Sequence, residues 1–419
     1  MSVAAAETGA QATSGLDWAI RLLFGAVGSS VRSRGEQPPR GFRPVESYLA
    51  VPSTDNPRLL VPLGSRRAAA AALARNHDAT SPRARLAKSV LAAGLRTGAA
   101  QRILPHRLVV SVPASMPAPE RAGVLLSDEL GRIFDRPDAC MAVLLGPPRL
   151  NRKPVLAVLT PDGEVIGYTK AAWNDLTRRL VEDEAAALAH FAAAPPTSFS
   201  APRLVHHGPW GDLTLLATTA LPNTARPSPD ALSDPPVAVM SEIAGPAREA
   251  DGPLAASGYW AEVRRRLDAR SPGSGPDRLR GVVDHVEGRY GEVGMRYGRW
   301  HGDLTPWNMA RLGEGTYVWD WERSAPGPRG LDLCHWLFQS VCRFGGRKPT
   351  ESVEICRERT PGLLELLDVP AGSEDALWSV YRMELLFRYD EARLAGVLAR
   401  PSRIHAGVLE MFEREMEAS

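Results

Sequence analysis

A ten-residue run, Arg299-Trp300-His301-Gly302-Asp303-Leu304-Thr305-Pro306-Trp307-Asn308, narrows what this chain can fold into more than any other part of it. Asp320 follows twelve residues after Asn308, inside Val318-Trp319-Asp320-Trp321-Glu322. The spacing His-x-Asp-x-x-x-x-Asn keeps an aspartate and an asparagine on one tight turn. Between that turn and Asp320, Met309-Ala310-Arg311-Leu312 and Thr316-Tyr317-Val318-Trp319 flank Gly313-Glu314-Gly315, which predicts a β-hairpin from two short apolar runs around glycines. Moving a γ-phosphoryl group calls for such a set: one carboxylate to orient the attacking hydroxyl, and oxygen ligands to hold Mg²⁺ against nucleotide phosphates. Any one of these residue types is more often a cap or a turn residue. The ordered set and the strand-borne aspartate after it point to phosphotransfer.

These residues resemble the aminoglycoside phosphotransferase and choline kinase family, small-molecule kinases with a protein-kinase-like fold. The resemblance runs from roughly Asp138 to the C-terminus and is strongest between Trp300 and Trp336. It implies an α+β, protein-kinase-like bilobal fold, with a small β-rich lobe over 138–222 and a large helical lobe over 223–419 carrying the catalytic loop and acceptor site. Ahead of these lie a mobile N-terminal segment, 1–43, with a short amphipathic helix, and an additional α/β extension, 44–137, to which the resemblance assigns no role. By the resemblance Asp303 is the catalytic base, Asn308 and Asp320 are the magnesium ligands, and His301 braces the metal-binding turn. In Pro326 to Leu333, Asp332 either braces the catalytic loop or is an ordinary N-terminal residue of a helix over Leu333 to Val341. The implied reaction consumes ATP with Mg²⁺ and phosphorylates a hydroxyl of a small molecule: sugar-like, aminoglycoside or amino-alcohol. A nucleotide-binding regulatory module with little or no turnover is the alternative.

In the small lobe, Met141–Leu145 and Val155–Leu159 read as strands joined by Gly146 to Lys153. That connection sits where a nucleotide-covering hairpin belongs but has one glycine and two prolines, unlike Gly-x-Gly-x-x-Gly. Asn151, Arg152 or Lys153 could reach the phosphates instead; an exposed basic tip is the simpler reading. Val165–Lys170 is a strand ending in lysine, and Glu184 comes fourteen residues later on a long helix. A strand lysine paired to a helix glutamate is how this fold holds the α- and β-phosphates, so Lys170 and Glu184 are the candidates, with Glu182 and Asp183 as competitors. Leu213–Ala220 reads as the last strand of this lobe. By resemblance, backbone groups between Thr218 and Leu221 meet the adenine.

In the extension, strands over Tyr48–Val51, Leu59–Leu63 and Leu108–Val112 and helices over 65–76, 82–95 and 118–134 are expected, together with the amphipathic helix over Leu16 to Val27. In the large lobe, helices are expected near Val237–Ile243, Tyr259–Ala269, Asp277–Val293, Leu333–Val341 and Glu374–Ala399. The last carries Glu384, Asp390 and Glu391, which suit a cationic acceptor, but Arg382, Arg388 and Arg393 offset them. An amphipathic surface helix explains the whole pattern as well.

A formal charge of +2 gives no reason to expect nucleic acid or an acidic membrane as partner. The four cysteines lack metal or disulfide spacing, which fits a reducing, cytoplasmic compartment. No apolar run approaches the ~20 residues that would cross a bilayer. Oligomeric state is open.

Overall fold

The computed structural model describes residues 15–25, 30–33, 38–75, 82–100, 107–146, 152–222, 234–246, 251–270, 276–345, 347–394 and 403–418. The chain forms two compact units, one of Met1–Ala185 with Pro202–Asn223 and the other of Ala186–Ala201 with Thr224–Ser419. Among the described residues no helix is long and apolar enough to cross a membrane.

The first unit is built on a nine-stranded sheet of order β1-β4-β2-β3-β5-β6-β7-β9-β8. Its strands are β1 (Ser30–Ser33), β2 (Phe42–Val51), β3 (Leu59–Pro62), β4 (Arg107–Pro113), β5 (Cys140–Leu144), β6 (Val155–Leu159), β7 (Val165–Ala172), β8 (Leu204–Trp210) and β9 (Leu213–Thr219). Every neighbouring pair is antiparallel. Successive side chains of a strand point to opposite faces, and here both faces are apolar. Tyr48, Leu60, Met141, Val143, Leu156 and Val158 enter one core, shared with residues of the helices Gly15–Phe24 and Leu126–Ile133. Their neighbours Leu49, Leu59, Val61, Ala142, Ala157 and Leu159 enter a second core. There the helix Arg66–Arg75 buries Ala68, Ala69, Ala70 and Ala72, small side chains that let its backbone lie close to the sheet.

The division expected at residue 138 does not separate compact units. β3 pairs with β5 through Leu59↔Leu144 and Leu60↔Val143, so the strands of 44–137 and those of 138–222 share one sheet. The physical reason lies in β5 itself. Without β3 it would present an apolar edge with unpaired backbone groups, a state that folded proteins avoid. The single helix expected over 118–134 breaks at Val124 and Leu125 into a short 3-10 turn, Ala118–Gly123, and the helix Leu126–Ile133. Of the helix expected over Leu16 to Val27, Gly15–Phe24 is formed, and positions 26 and 27 lie outside the described residues, as do residues 1–14.

The second unit is mainly helical, with three two-stranded sheets among the described residues. Its largest buried side chains include Trp260, Trp336, Trp378, Tyr381, Phe338, Phe387 and Phe412. The helix Glu374–Leu394 corrects the surface-helix expectation: Leu377, Trp378, Val380, Tyr381, Met383, Leu386 and Phe387 are all buried, which encloses it on most sides. Its polar residues are therefore buried groups that need partners. Positions 395–399, where the sequence reading continued this helix, lie outside the described residues.

Candidate active site

Two antiparallel ladders in the second unit deliver the key loop. Tyr297–Trp300 pairs with Ala325–Pro328, and Met309–Leu312 pairs with Gly315–Val318 in the hairpin expected from the glycines. The segment 301–308 is thereby held at both ends. Gly302 has φ +82°, and a Cβ on it would sit 2.3 Å from the carbonyl oxygen of Arg323, so the loop can pass its neighbour only as glycine.

His301 is fully buried with its ring centroid 4.3 Å from that of Trp321. The backbone N–H of Asp303 donates to its Nδ1 at 3.1 Å, which fixes the tautomer: Nε2 carries the proton and donates to the carbonyl of Trp319 at 3.1 Å. One imidazole thus ties the loop to the strand that leads to Asp320. Asp332 belongs to the first turn of the helix Leu331–Gly345 and accepts the backbone N–H groups of His301 at 2.7 Å and Gly302 at 3.1 Å. It is a helix N-terminal residue and a loop partner at once. Burial pushes its carboxyl up to about 7, against the pull of those two hydrogen bonds.

Asp303 is held at both carboxylate oxygens. Asn308 Nδ2 donates to Oδ2 at 2.9 Å, and His335 Nε2 lies 2.9 Å from Oδ1. Burial by itself would raise the Asp303 pKa, but the hydrogen bond from His335, together with nearby positive charge, holds it below the usual carboxylate range. Burial also lowers the His335 pKa and keeps that ring neutral, so Nε2–H donates to Asp303 while Nδ1 accepts the Tyr381 hydroxyl at 3.1 Å. The second Nδ2 hydrogen of Asn308 goes to the backbone carbonyl of Asp303 at 2.9 Å. Its Oδ1 has no hydrogen bond among the described residues and is the atom available to a cation.

The N–H of Trp319 donates to the carbonyl of Asn308 at 3.1 Å, which places Asp320 one residue beyond Asn308's partner. Asp320 has φ +71°, a left-handed conformation rare outside glycine and a mark of a constrained position. Its carboxylate and that of Glu322 bring oxygens within 4.8 Å of each other. The Asn308 amide oxygen and these two carboxylates are hard oxygen donors, the set that suits Mg²⁺.

In the first unit, β7 buries Gly167, Thr169 and Ala171 and leaves Tyr168 and Lys170, two residues apart on one face, half-buried. Lys170 Nζ meets Glu184 Oε2 at 2.5 Å, with Glu184 buried on the helix Asp175–Ala193; of the three acidic candidates, Glu184 is the partner. Thr218 is buried opposite Tyr168 in the β7–β9 ladder. The N–H groups of Thr219 and Ala220 are spent on Arg203 and Ile166, whereas the backbone of Leu221 has no such bond among the described residues. Of the β5–β6 connection, 147–151 lie outside the described residues. Arg152 does not project as a basic tip: it donates to the Leu145 carbonyl at 2.6 Å and stacks 4.2 Å over the Trp18 ring, and burial lowers its pKa to about 10.

No model of a known protein family matches this sequence, and no curated protein does. Solved structures do match. Aminoglycoside phosphotransferase APH(4)-Ia aligns over 70% of this chain and 98% of its own, at 12% identity and a TM-score of 0.46. Amicoumacin kinase hAmiN, in complex with AMP-PNP, Ca²⁺ and Ami, aligns over 67% of this chain and 88% of its own, at 11% identity and a TM-score of 0.43. Choline kinase LicA from Streptococcus pneumoniae aligns over 67% of this chain and 90% of its own, at 12% identity and a TM-score of 0.41. The chain resembles these kinases in structure. At identities this low, function has to come from the site's own geometry.

His335 and Glu322 were not among the residues singled out from sequence. For His335 a usable signal existed: it stands three residues after Asp332, the spacing that puts two side chains on one helix face. Glu322 stands two residues after Asp320, but Asp320 has φ +71° and Glu322 lies in a turn, so no regular period in the sequence marks the pair.

Proposed function

We propose that this chain is an ATP- and Mg²⁺-dependent phosphotransferase that moves the γ-phosphoryl group to a hydroxyl of a small molecule. The observation that carries the reading is the two-sided hold on Asp303, with Asn308 at one oxygen and neutral His335 at the other, which leaves the carboxylate ionised and fixed in direction. A hydroxyl-orienting base needs both properties.

On this reading the acceptor hydroxyl donates to Asp303 and its oxygen attacks the γ-phosphorus in line. The bond from that phosphorus to the β,γ-bridging oxygen breaks, ADP leaves with the electron pair, and the hydroxyl proton passes to Asp303 and then to solvent. Lys170, held by Glu184, neutralises charge on the nucleotide phosphates. Asn308, Asp320 and Glu322 would hold Mg²⁺, which when bound shields the charge of the phosphoryl group in transfer.

The test is ADP release from Mg²⁺-ATP with a panel of hydroxyl compounds, run beside Asp303→Ala. Acceptor-dependent release that falls by about 10²–10⁴-fold in the variant, with nucleotide binding retained, supports the assignment. Full activity in Asp303→Ala removes it. ATP binding with no turnover of any acceptor points to the regulatory-module alternative.

A further inference from the structure

The helix Glu374–Leu394 brings five charged side chains, Arg382, Glu384, Arg388, Asp390 and Glu391, toward the interior of the second unit, and their partners divide unevenly. Glu384 receives Arg266 at 2.9 Å and the Tyr259 hydroxyl at 2.8 Å. Asp390 receives Arg270 at 2.8 Å. Glu391 lies 3.7 Å from Arg266 and 3.9 Å from Arg323. Arg382 is bound by Glu415 at 2.6 Å and packs over Phe412. The acidic residues that would have welcomed a cationic acceptor are thus already matched by arginines.

Arg388 is the exception. Among the described residues it has no hydrogen bond and no ion pair, and its one close partner is the face of Trp300, 4.9 Å from ring centroid to guanidinium carbon. Trp300 directly precedes the loop that carries Asp303. Arg388 as a residue is half-buried, not sealed from solvent. The carboxylates within its field are committed elsewhere: Asp303 to Asn308 and His335, Asp332 to two backbone N–H groups, Glu384 to Arg266. Burial and the like charge of Arg323 both lower its pKa, the signature of a cation short of a counter-ion. Arg323 belongs to the same neighbourhood, because its backbone is what Gly302 passes. A guanidinium enclosed without an acceptor is unfavourable unless a ligand supplies one.

We propose that the acceptor carries an anionic group, a carboxylate or a phosphate, which Arg388 binds with support from Arg323 while Asp303 takes the acceptor's hydroxyl. This rests on the phosphotransfer reading and names its substrate class: anionic hydroxyl compounds rather than cationic amino sugars or amino-alcohols. Arg388 presents the planar fork that pairs two-to-two with carboxylate or phosphate oxygens, and its contact with Trp300 fixes the plane of that fork.

The experiment follows ADP release from Mg²⁺-ATP with matched acceptors: sugar phosphates, sugar acids, the parent neutral sugars, and aminoglycosides with choline. Each is run with the wild-type chain, Arg388→Gln, Arg388→Lys, Arg323→Gln and Asp303→Ala, and folding of each variant is checked by thermal melting. The wild type is expected to favour an anionic acceptor over its neutral parent by at least tenfold in kcat/KM. Arg388→Gln should lower that preference at least tenfold through KM, Arg388→Lys should restore part of it, and Arg323→Gln should lower it less. If Arg388→Gln does not fold, the Lys variant and Arg323→Gln carry the comparison. Sugar phosphates outrunning sugar acids, or the reverse, tells which anion is bound. Asp303-dependent turnover that is faster with neutral or cationic acceptors overturns this inference and leaves the phosphotransfer reading standing. Absence of Asp303-dependent turnover with every compound overturns both.

Discussion

Asp332→Ala is the substitution whose outcome can be worked most closely. The wild-type carboxyl accepts the buried N–H groups of His301 and Gly302 at 2.7 and 3.1 Å, and each donor left without an acceptor costs about 1–3 kcal/mol. The variant should therefore loosen the loop by about 2–6 kcal/mol where the wild-type carboxyl is protonated in the open loop as well as the closed one, that is, below the ordinary aspartate value of about 4, and by less as pH rises toward the raised folded value of about 7. A folded-state pKa above the unfolded one gives a stability contribution that is complete at low pH and is lost as pH rises through the folded value. Between pH 6 and pH 8 the gap between wild type and variant should thus narrow by about 1.4 kcal/mol. Hydrogen–deuterium exchange of a peptide spanning residues 299–308, corrected for the intrinsic pH dependence of exchange, reads this locally in the intact chain. At pH 4 exchange should quicken by at least about tenfold, since every 1.4 kcal/mol is about tenfold, and the ratio should fall steadily as pH rises to 8. Exchange in Asp332→Ala as slow as in the wild type at pH 4, or a ratio that grows with pH, would refute the account of Asp332 as the loop's anchor.

Three further outcomes follow from the same geometry. His335→Ala removes the hydrogen bond that leads in holding the Asp303 pKa down, so the acid limb of the pH profile of kcat/KM should move upward from below the ordinary carboxylate range; an unmoved limb contradicts the role given to His335. Lys170→Met leaves the buried Glu184 carboxylate without its 2.5 Å partner and should destabilise the chain by about 3–5 kcal/mol while raising KM for nucleotide. In thermal melts Glu184→Gln should fall less than Lys170→Met, and a Lys170→Met chain as stable as the wild type would dismiss the pair. Asp320→Ala should shift the Mg²⁺ concentration for half-maximal rate by about 10–100-fold, with a smaller shift for Glu322→Gln, and equal Mg²⁺ titrations of wild type and Asp320→Ala would take the cation away from this site.

How much of this could be read from the sequence differs by residue, for physical reasons. The loop from His301 to Asn308 and the hairpin after it were legible because their order is local: glycines mark the turns, and the spacing of Asp303, Asn308 and Asp320 is set by two short strands. The pairing of Lys170 with Glu184 was legible because one strand and one helix carry it. Residue 138 looked like a boundary because Asp138 opens a kinase-like pattern, yet strand pairing between Leu59–Leu60 and Val143–Leu144 depends on edge saturation across more than eighty residues of chain, which no local pattern encodes. The Glu374–Leu394 helix shows the limit most sharply. Its alternating Arg and Glu residues read as a solvated face, because sequence reports the charges but not Arg266, from the helix Gly258–Asp268, and Arg270, just past its end, that come to meet them. Once those partners are in place, the balance of charge that seemed to say nothing about the acceptor leaves Arg388, among the described residues, without a carboxylate of its own. The acceptor's chemistry is then a matter of which charge lacks a partner, and that quantity exists only in the folded chain.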